Sequence, residues 1–230
     1  MTFTLADVVP WGRGFDEYVA MFALQPRDLA ETILGCGDGP AAFNAVATER
    51  GYRVVSVDPI YEFSAADIER RIERTTQEIA EQTRRNAAEF VWTQFSSVEE
   101  LITARRAAMQ RFLDDYPAGH LAGRYIPASL PELPFGFGQF QLALCSHFLF
   151  LYSAQFDFEF HLKSILTLCF VAREVRIFPL VELGSRPSRH LDKVMRSLRE
   201  LGFQAERVPV DYEFQRGANQ MLTVQRPPPT

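Results

Sequence analysis

The stretch Glu31-Thr32-Ile33-Leu34-Gly35-Cys36-Gly37-Asp38-Gly39-Pro40 runs a short apolar segment straight into a glycine-rich turn. The apolar part ends at Gly35 and reads as a buried strand. Ala41 to Arg50 then reads as a helix stopped by Gly51. Arg53-Val54-Val55-Ser56-Val57 is a β-branched strand closed by Asp58-Pro59. Strand, helix and strand within about 30 residues make a βαβ unit, the building block of a parallel sheet.

Working outward, the same alternation resumes downstream. Gln141–Ser146 and Glu174–Leu180 read as strands, Phe158–Val171 and Leu191–Leu201 as helices, and Gln204–Pro209 with Gln220–Gln225 as a final strand pair. Between the two halves, Ser64 to Asp115 contains no glycine or proline and carries ten acids and eight arginines, which predicts helix. Ser64 with Asp67, and Ser97 with Glu100, have capping-box spacing. Two helices are therefore expected, Ser64–Phe90 and Ser97–Tyr116, with Pro117 as the stop. Ile68, Ile72, Ile79 and Phe90 form a thin apolar stripe diluted by threonines, which suits a hairpin lying over a domain. The fold class read from this pattern is α/β: a Rossmann-like three-layer sandwich, mostly parallel, with an antiparallel last strand. One domain over residues 1–230 is expected, with a helical insert at 64–116 after the second strand that serves as decoration or as a substrate lid.

Composition bounds the function. The 230 residues are 47% hydrophobic and 23% charged, enough chain for a real core and neither disordered nor fibrous. A net charge of −5 argues against a broad phosphate-binding surface and points to a small-molecule partner, with nucleic acid not excluded. Lys163 and Lys193 are the two lysines among 24 cations, so arginine supplies the rest. Cys36, Cys145 and Cys169 show no zinc-ligand spacing, so no metal is expected, and a reducing cytosol fits unpaired thiols. Met1 to Pro10 has no cationic start leading into a long apolar stretch, so no signal peptide is expected. The longest apolar runs are too short to span a bilayer, and a cytoplasmic protein is the expectation. The proline tail 227–230 reads as extended. Nothing in the sequence specifies an oligomeric state.

The chemistry is expected at the glycine turn. Gly35, Gly37 and Gly39 let a ligand approach backbone at the carboxyl end of a strand, where open α/β sheets bind ligands. Asp58 follows Gly37 by 21 residues and ends the second strand, where a carboxylate accepts the hydroxyls of a ribose. Pro40 stands where a dinucleotide motif wants its third glycine, which favours S-adenosylmethionine over a nicotinamide.

At this point the chain resembles the class I S-adenosylmethionine-dependent methyltransferases. The family's acid-x-G-x-G-x-G motif falls on Ile33-Leu34-Gly35-Cys36-Gly37-Asp38-Gly39, and its ribose acid on Asp58. Its D-x-x-x-LPF and FD-LV stretches fall on Ser129-Leu130-Pro131-Glu132-Leu133-Pro134-Phe135 and Phe140-Gln141-Leu142-Ala143. The resemblance runs from about Leu29 to Arg226, apart from the helical insert. It implies S-adenosylmethionine as cofactor, held by Gly35, Cys36, Gly37, Asp58, Pro59, Ser129, Leu130 and Cys145. Three family carboxylates are replaced, by Ile33, Ser129 and Gln141. Asp38 in the turn and Arg13 upstream are candidate substitutes, Arg13 for the cofactor's carboxylate.

Cys145-Ser146-His147-Phe148 occupies the place of the Asn/Asp-Pro-Pro-Tyr/Phe motif of adenine N-methylating relatives, and lacks it. His147 is the candidate general base, because an imidazole titrates near neutrality. The expected activity is methyl transfer to a small molecule. Two alternatives stay open: a degenerate member serving as a binding scaffold, and an RNA methyltransferase.

Overall fold

The computed structural model describes residues 9–227. The readings made of Met1–Pro10 and of the proline tail fall largely outside them. Seven strands form one sheet: β1 Thr32–Cys36, β2 Arg53–Val57, β3 Tyr125–Ile126, β4 Phe140–Ser146, β5 Ala172–Phe178, β6 Gln204–Pro209 and β7 Gln220–Gln225. Their order is β3-β2-β1-β4-β5-β7-β6. The first five are parallel, and β7 runs antiparallel to both β5 and the edge strand β6. Chain direction across the sheet reverses between β1 and β4, which opens a crevice at their carboxyl ends. A separate two-residue ribbon pairs Val181–Glu182 with Arg186–Pro187.

Alternation along the strands sends side chains to two helical layers. Leu34, Cys36, Ala143, Cys145, Val175 and Ile177 pack with α6 (Phe158–Val171) and α7 (Leu191–Glu200). Ile33, Val54, Leu142 and Leu144 face α1 (Phe15–Met21) and α3 (Phe43–Glu49) on the other side. A single-turn helix, α2 (Pro26–Leu29), leads into β1. The three-layer sandwich read from the sequence is the observed fold.

The hairpin between β2 and β3 consists of α4 (Ala65–Arg85) and α5 (Val98–Leu121). Both expected caps are present: Ser64 Oγ accepts from the Asp67 N–H at 3.2 Å, and Ser97 Oγ from the Glu100 N–H at 3.1 Å. The threonines do not dilute the α4 stripe. Thr76 and Thr83 are themselves buried on it, and the Thr76 hydroxyl is satisfied by the Ile72 carbonyl at 2.7 Å. The first helix ends at Arg85 rather than Phe90, because Asn86 leaves the helical region and its side chain caps the Gln82 carbonyl at 2.9 Å. Pro117 does not stop the second helix, which continues to Leu121. Next to it, Tyr116 is anchored by donating to the Tyr61 and Phe63 carbonyls at 2.8 and 3.0 Å, and the rings of Tyr61, Phe112, Tyr116 and Tyr125 pack together. That tertiary packing outweighs the hydrogen bond the proline forfeits. Helix α5 contacts both α3 and β3, and so carries the crossover that returns the chain to the sheet edge.

Candidate functional site

The glycine turn folds over β1 with Gly37 and Gly39 in the left-handed region, at φ +68° and +52°. At Gly37 a Cβ would lie 2.9 Å from the Cβ of Phe148, so a side chain there would close the crevice. Gly35 lies against the turn's own acid. Its missing Cβ leaves room for the Asp38 carboxylate, which would otherwise stand 1.8 Å away. Gly35 therefore shapes the site through Asp38 and does not line a cavity itself.

Asp38 turns inward. It accepts from the Tyr18 hydroxyl at 2.9 Å and from the Ser56 hydroxyl at 2.7 Å, tying α1, the turn and β2 together. Burial raises its carboxyl to about 7, against the opposing pull of those two bonds. Asp58 caps the turn that follows β2. Its Oδ2 accepts from the Gly39 N–H and its Oδ1 from the Ile60 N–H, each at 2.9 Å. Each oxygen keeps a further lone pair for a ligand hydroxyl. Burial raises Asp58 to about 6. Tyr61 completes the clasp by donating to the Gly39 carbonyl at 2.7 Å.

Three cavities meet along the carboxyl ends of the strands. The first, about 290 Å³, is an apolar slot walled by Cys36, Val57, Ala128, Ser129, Leu130 and Phe148. Phe156 and Phe160 also line it, stacked on each other at 4.3 Å. The second, about 350 Å³, is polar and lies over Asp38, Gly39, Ser146 and Arg71. Gly37, Asp58 and Pro59 border both. The third, about 80 Å³, lies beyond, among Trp11, Phe90, Tyr152, Phe178 and Phe214, and Trp11, Arg13 and His147 border both it and the second.

Of the residues singled out in the sequence, Cys36, Gly37, Asp58, Pro59, Ser129, Leu130, Arg13 and His147 all reach this set of cavities. Cys145 does not. It is fully buried in the core, beside Cys36 in the β1–β4 register, with its thiol pushed up to about 12 by burial.

His147 sits in the left-handed region at φ +50°, held by its N–H donating to the Phe178 carbonyl at 2.7 Å. Such backbone strain gathers at functional sites. Its Nδ1 lies 3.0 Å from Ser146 Oγ. Burial, then the charges of Arg13 and Arg105, hold its basicity well below the ordinary histidine range, so the ring is neutral at physiological pH and, against the expectation from sequence, does not titrate near neutrality. Arg13 donates through Nη1 to the Trp11 carbonyl at 2.6 Å, while its buried Nε has no partner among the described residues. Burial, then repulsion from Arg105, lowers its guanidinium to about 10. Nearby, fully buried Arg105 pairs with Glu17, whose Oε1 accepts from the Tyr212 hydroxyl at 2.8 Å. Sequence reading missed Arg105 and the parts of the third cavity that come from residues 79–90, 151–152 and 178–183; the walls come from six separated segments.

Among the described residues no group of histidine, cysteine and acidic side chains is placed to hold a metal ion, and no helix is long and apolar enough to cross a membrane. No protein-family profile matches the chain. It is 32% identical over 223 residues to the uncharacterized protein MJ0045 of Methanocaldococcus jannaschii, an alignment covering 96% of this chain and 98% of that one. Among solved structures it is similar to the mitomycin 7-O-methyltransferase MmcR, at 13% identity and a TM-score of 0.50. That match covers 93% of this chain and 54%, about half, of the longer protein. It is also similar to magnesium protoporphyrin IX methyltransferase of Synechocystis PCC 6803 (11% identity, TM-score 0.48, 93% and 78% covered). At such identities the likeness to MmcR establishes the fold alone, the Rossmann-like three-layer sandwich.

Proposed function

Because the chain belongs to one family with MJ0045 of Methanocaldococcus jannaschii and has the class I methyltransferase fold, we propose that it is an S-adenosylmethionine-dependent methyltransferase of a small molecule. The observation that carries this reading is the line of three cavities, an apolar slot, a polar cleft and an aromatic pocket, joined at Gly37/Asp58/Pro59 and at Trp11/Arg13/His147. The residues fit the cofactor's parts in that order. The slot has a flat aromatic wall for adenine, with Ser129 and Leu130 at its edge. Asp58 has lone pairs for the ribose. The cleft offers the acids Asp38 and Asp58 to the cationic groups, and Arg13, with a buried donor unmatched, to the carboxylate.

When bound, the cofactor supplies an activated methyl group on a sulfonium, a good leaving group that asks the protein chiefly for alignment. The chain's own contribution is to seat the acceptor at the shared wall and to receive its proton. In the tautomer whose Nδ1–H donates to Ser146 Oγ, neutral His147 has Nε2 to receive that proton. Replacing His147 with alanine is expected to lower kcat by roughly 10²–10⁴ while leaving cofactor affinity unchanged. Steady-state kinetics beside calorimetry would read the two separately.

Calorimetric titration with S-adenosylhomocysteine tests the reading as a whole. Native chain is expected to bind, and Asp58→Ala to bind about 100-fold more weakly, as befits the loss of two charge-assisted hydrogen bonds. S-adenosylmethionine, with its extra cation, is expected to gain affinity as pH rises through 6 to 7 and Asp58 and Asp38 ionise. Its neutral product should gain less. Absence of binding by either ligand at millimolar concentration would refute the proposal.

A further inference from the structure

The third cavity is small, aromatic and electrically matched, and these properties narrow the acceptor. We propose that the acceptor is a neutral, single-ring aromatic molecule methylated on a hydroxyl group, a reading that rests on S-adenosylmethionine occupying the neighbouring cleft.

Size comes first. The cavity measures about 80 Å³. An apolar cavity of about 150 Å³ accommodates benzene. At about half that volume the pocket takes part of one ring, the rest of which, with its polar substituent, lies at the shared wall by Arg13 and His147. Two fused rings do not fit.

The walls select a planar, apolar body. Trp11, Phe90, Tyr152, Phe178, Tyr212 and Phe214 present ring faces and edges, backed by aliphatic side chains. Three polar atoms of the lining already have a partner. The Tyr212 hydroxyl donates to Glu17 at 2.8 Å, the Tyr152 hydroxyl accepts from the Val9 N–H at 3.4 Å, and Gln215 Nε2 donates to the Glu182 carbonyl at 2.8 Å. The pocket therefore offers an incoming ligand few hydrogen bonds beyond those at the shared wall.

Charge excludes an ionic acceptor. Arg105 is answered by Glu17. Arg13 would be answered by the cofactor's carboxylate, and the cofactor's two cationic groups by Asp38 and Asp58. Glu89, the one acid in the cavity wall, is half-exposed and stays in touch with solvent. With the cofactor bound, the buried charges sum to zero, and a charged acceptor would enter a low-dielectric site without a counterion. A neutral hydroxyl, by contrast, needs the neutral base that His147 provides. In the step, the acceptor oxygen gains the methyl group, the sulfur keeps the electron pair of the broken C–S bond, and the hydroxyl proton passes to His147.

Binding of three matched rings tests this: phenol, benzoate and benzylammonium, titrated calorimetrically at pH 7 into the full chain with and without saturating sinefungin, a non-reacting S-adenosylmethionine analogue whose amine keeps the second cation. With that ligand present, phenol is expected to bind at least tenfold more tightly than either ion. Leu183→Trp, which fills the cavity, is expected to abolish phenol binding while S-adenosylhomocysteine affinity holds within threefold. If that variant does not fold, the fluorescence of Trp11 in the native chain reads the same occupancy, since Trp92 is the only other tryptophan. An ion binding as tightly as phenol, or no ring binding to a chain that does bind sinefungin, overturns the acceptor assignment. Phenol preference without any sinefungin binding sustains the ring and charge preference and overturns instead the cofactor reading beneath it.

Discussion

Substituting Arg105 with methionine is expected to destabilise the chain by about 3–5 kcal/mol, the usual consequence of removing one member of a buried ion pair. Arg105 on α5 and Glu17 on α1 are 88 residues apart in sequence, and Arg105 is only 1% exposed. The loss is larger than the missing attraction, because Glu17 would remain largely buried, its charge held by hydrogen bonds from the Gly14 N–H and the Tyr212 hydroxyl and by the more distant Arg13. The pH dependence should change sign with it. In the native chain Arg105 and the accompanying hydrogen bonds hold Glu17 below the ordinary glutamate range despite burial. A carboxyl depressed in the folded state contributes stability that is present above its unfolded pKa and is lost as pH falls. Without the guanidinium, burial dominates, the folded carboxyl rises above its unfolded value, and this site's contribution is lost as pH rises instead. The double variant Arg105→Met, Glu17→Gln should recover part of the loss. Urea melts of the three proteins between pH 4 and 8 would measure it, and a single variant within 1 kcal/mol of native would refute the argument.

Asp38→Asn is expected to act in the opposite direction. Asp38 rises from 3.8 unfolded to about 7 folded, chiefly through burial. Below about pH 4 both states are protonated and the stabilisation relative to the ionised form is complete. As pH climbs toward 7 the unfolded chain releases its proton while the folded chain retains it, so stability falls. At about 1.4 kcal/mol per pH unit, the decline amounts to about 4 kcal/mol at most. An amide at the same place keeps an acceptor for Tyr18 and carries no charge to bury. The variant should therefore lose this part of the decline and exceed the native chain in stability above pH 8, while binding S-adenosylmethionine less well. A native profile that rises between pH 5 and 8, with the variant's following it, would contradict the burial argument.

These two residues mark where sequence reading stops. The βαβ unit, the glycine turn and Asp58 were legible because local rules govern them: a strand period, a helix stop, a glycine that only left-handed backbone requires. Gly37 and Asp58 consequently stand where the spacing put them. Gly35 did not, since nothing local says that Asp38 will fold back over it. Strand β3 escaped notice because two residues have no period to read. Pro117 misled because its local penalty is real, and only the cluster of rings around Tyr116, assembled from three elements, overrides it. The aromatic cavity was only partly legible for the same reason: Ile79, Leu151 and Phe178 become neighbours of Trp11 and Phe214 only through the completed fold.

The two ends of the sheet have a consequence for how the molecule behaves at high concentration. One rim is β3, only two residues long. The other is β6, which displays Glu206 and Arg207 outward and finishes at Pro209, a residue with no N–H to offer. A stray strand approaching either side meets too short a ladder or a charged, interrupted one. Polymerisation through strand addition is thus discouraged at both borders, and any self-association must use some other face.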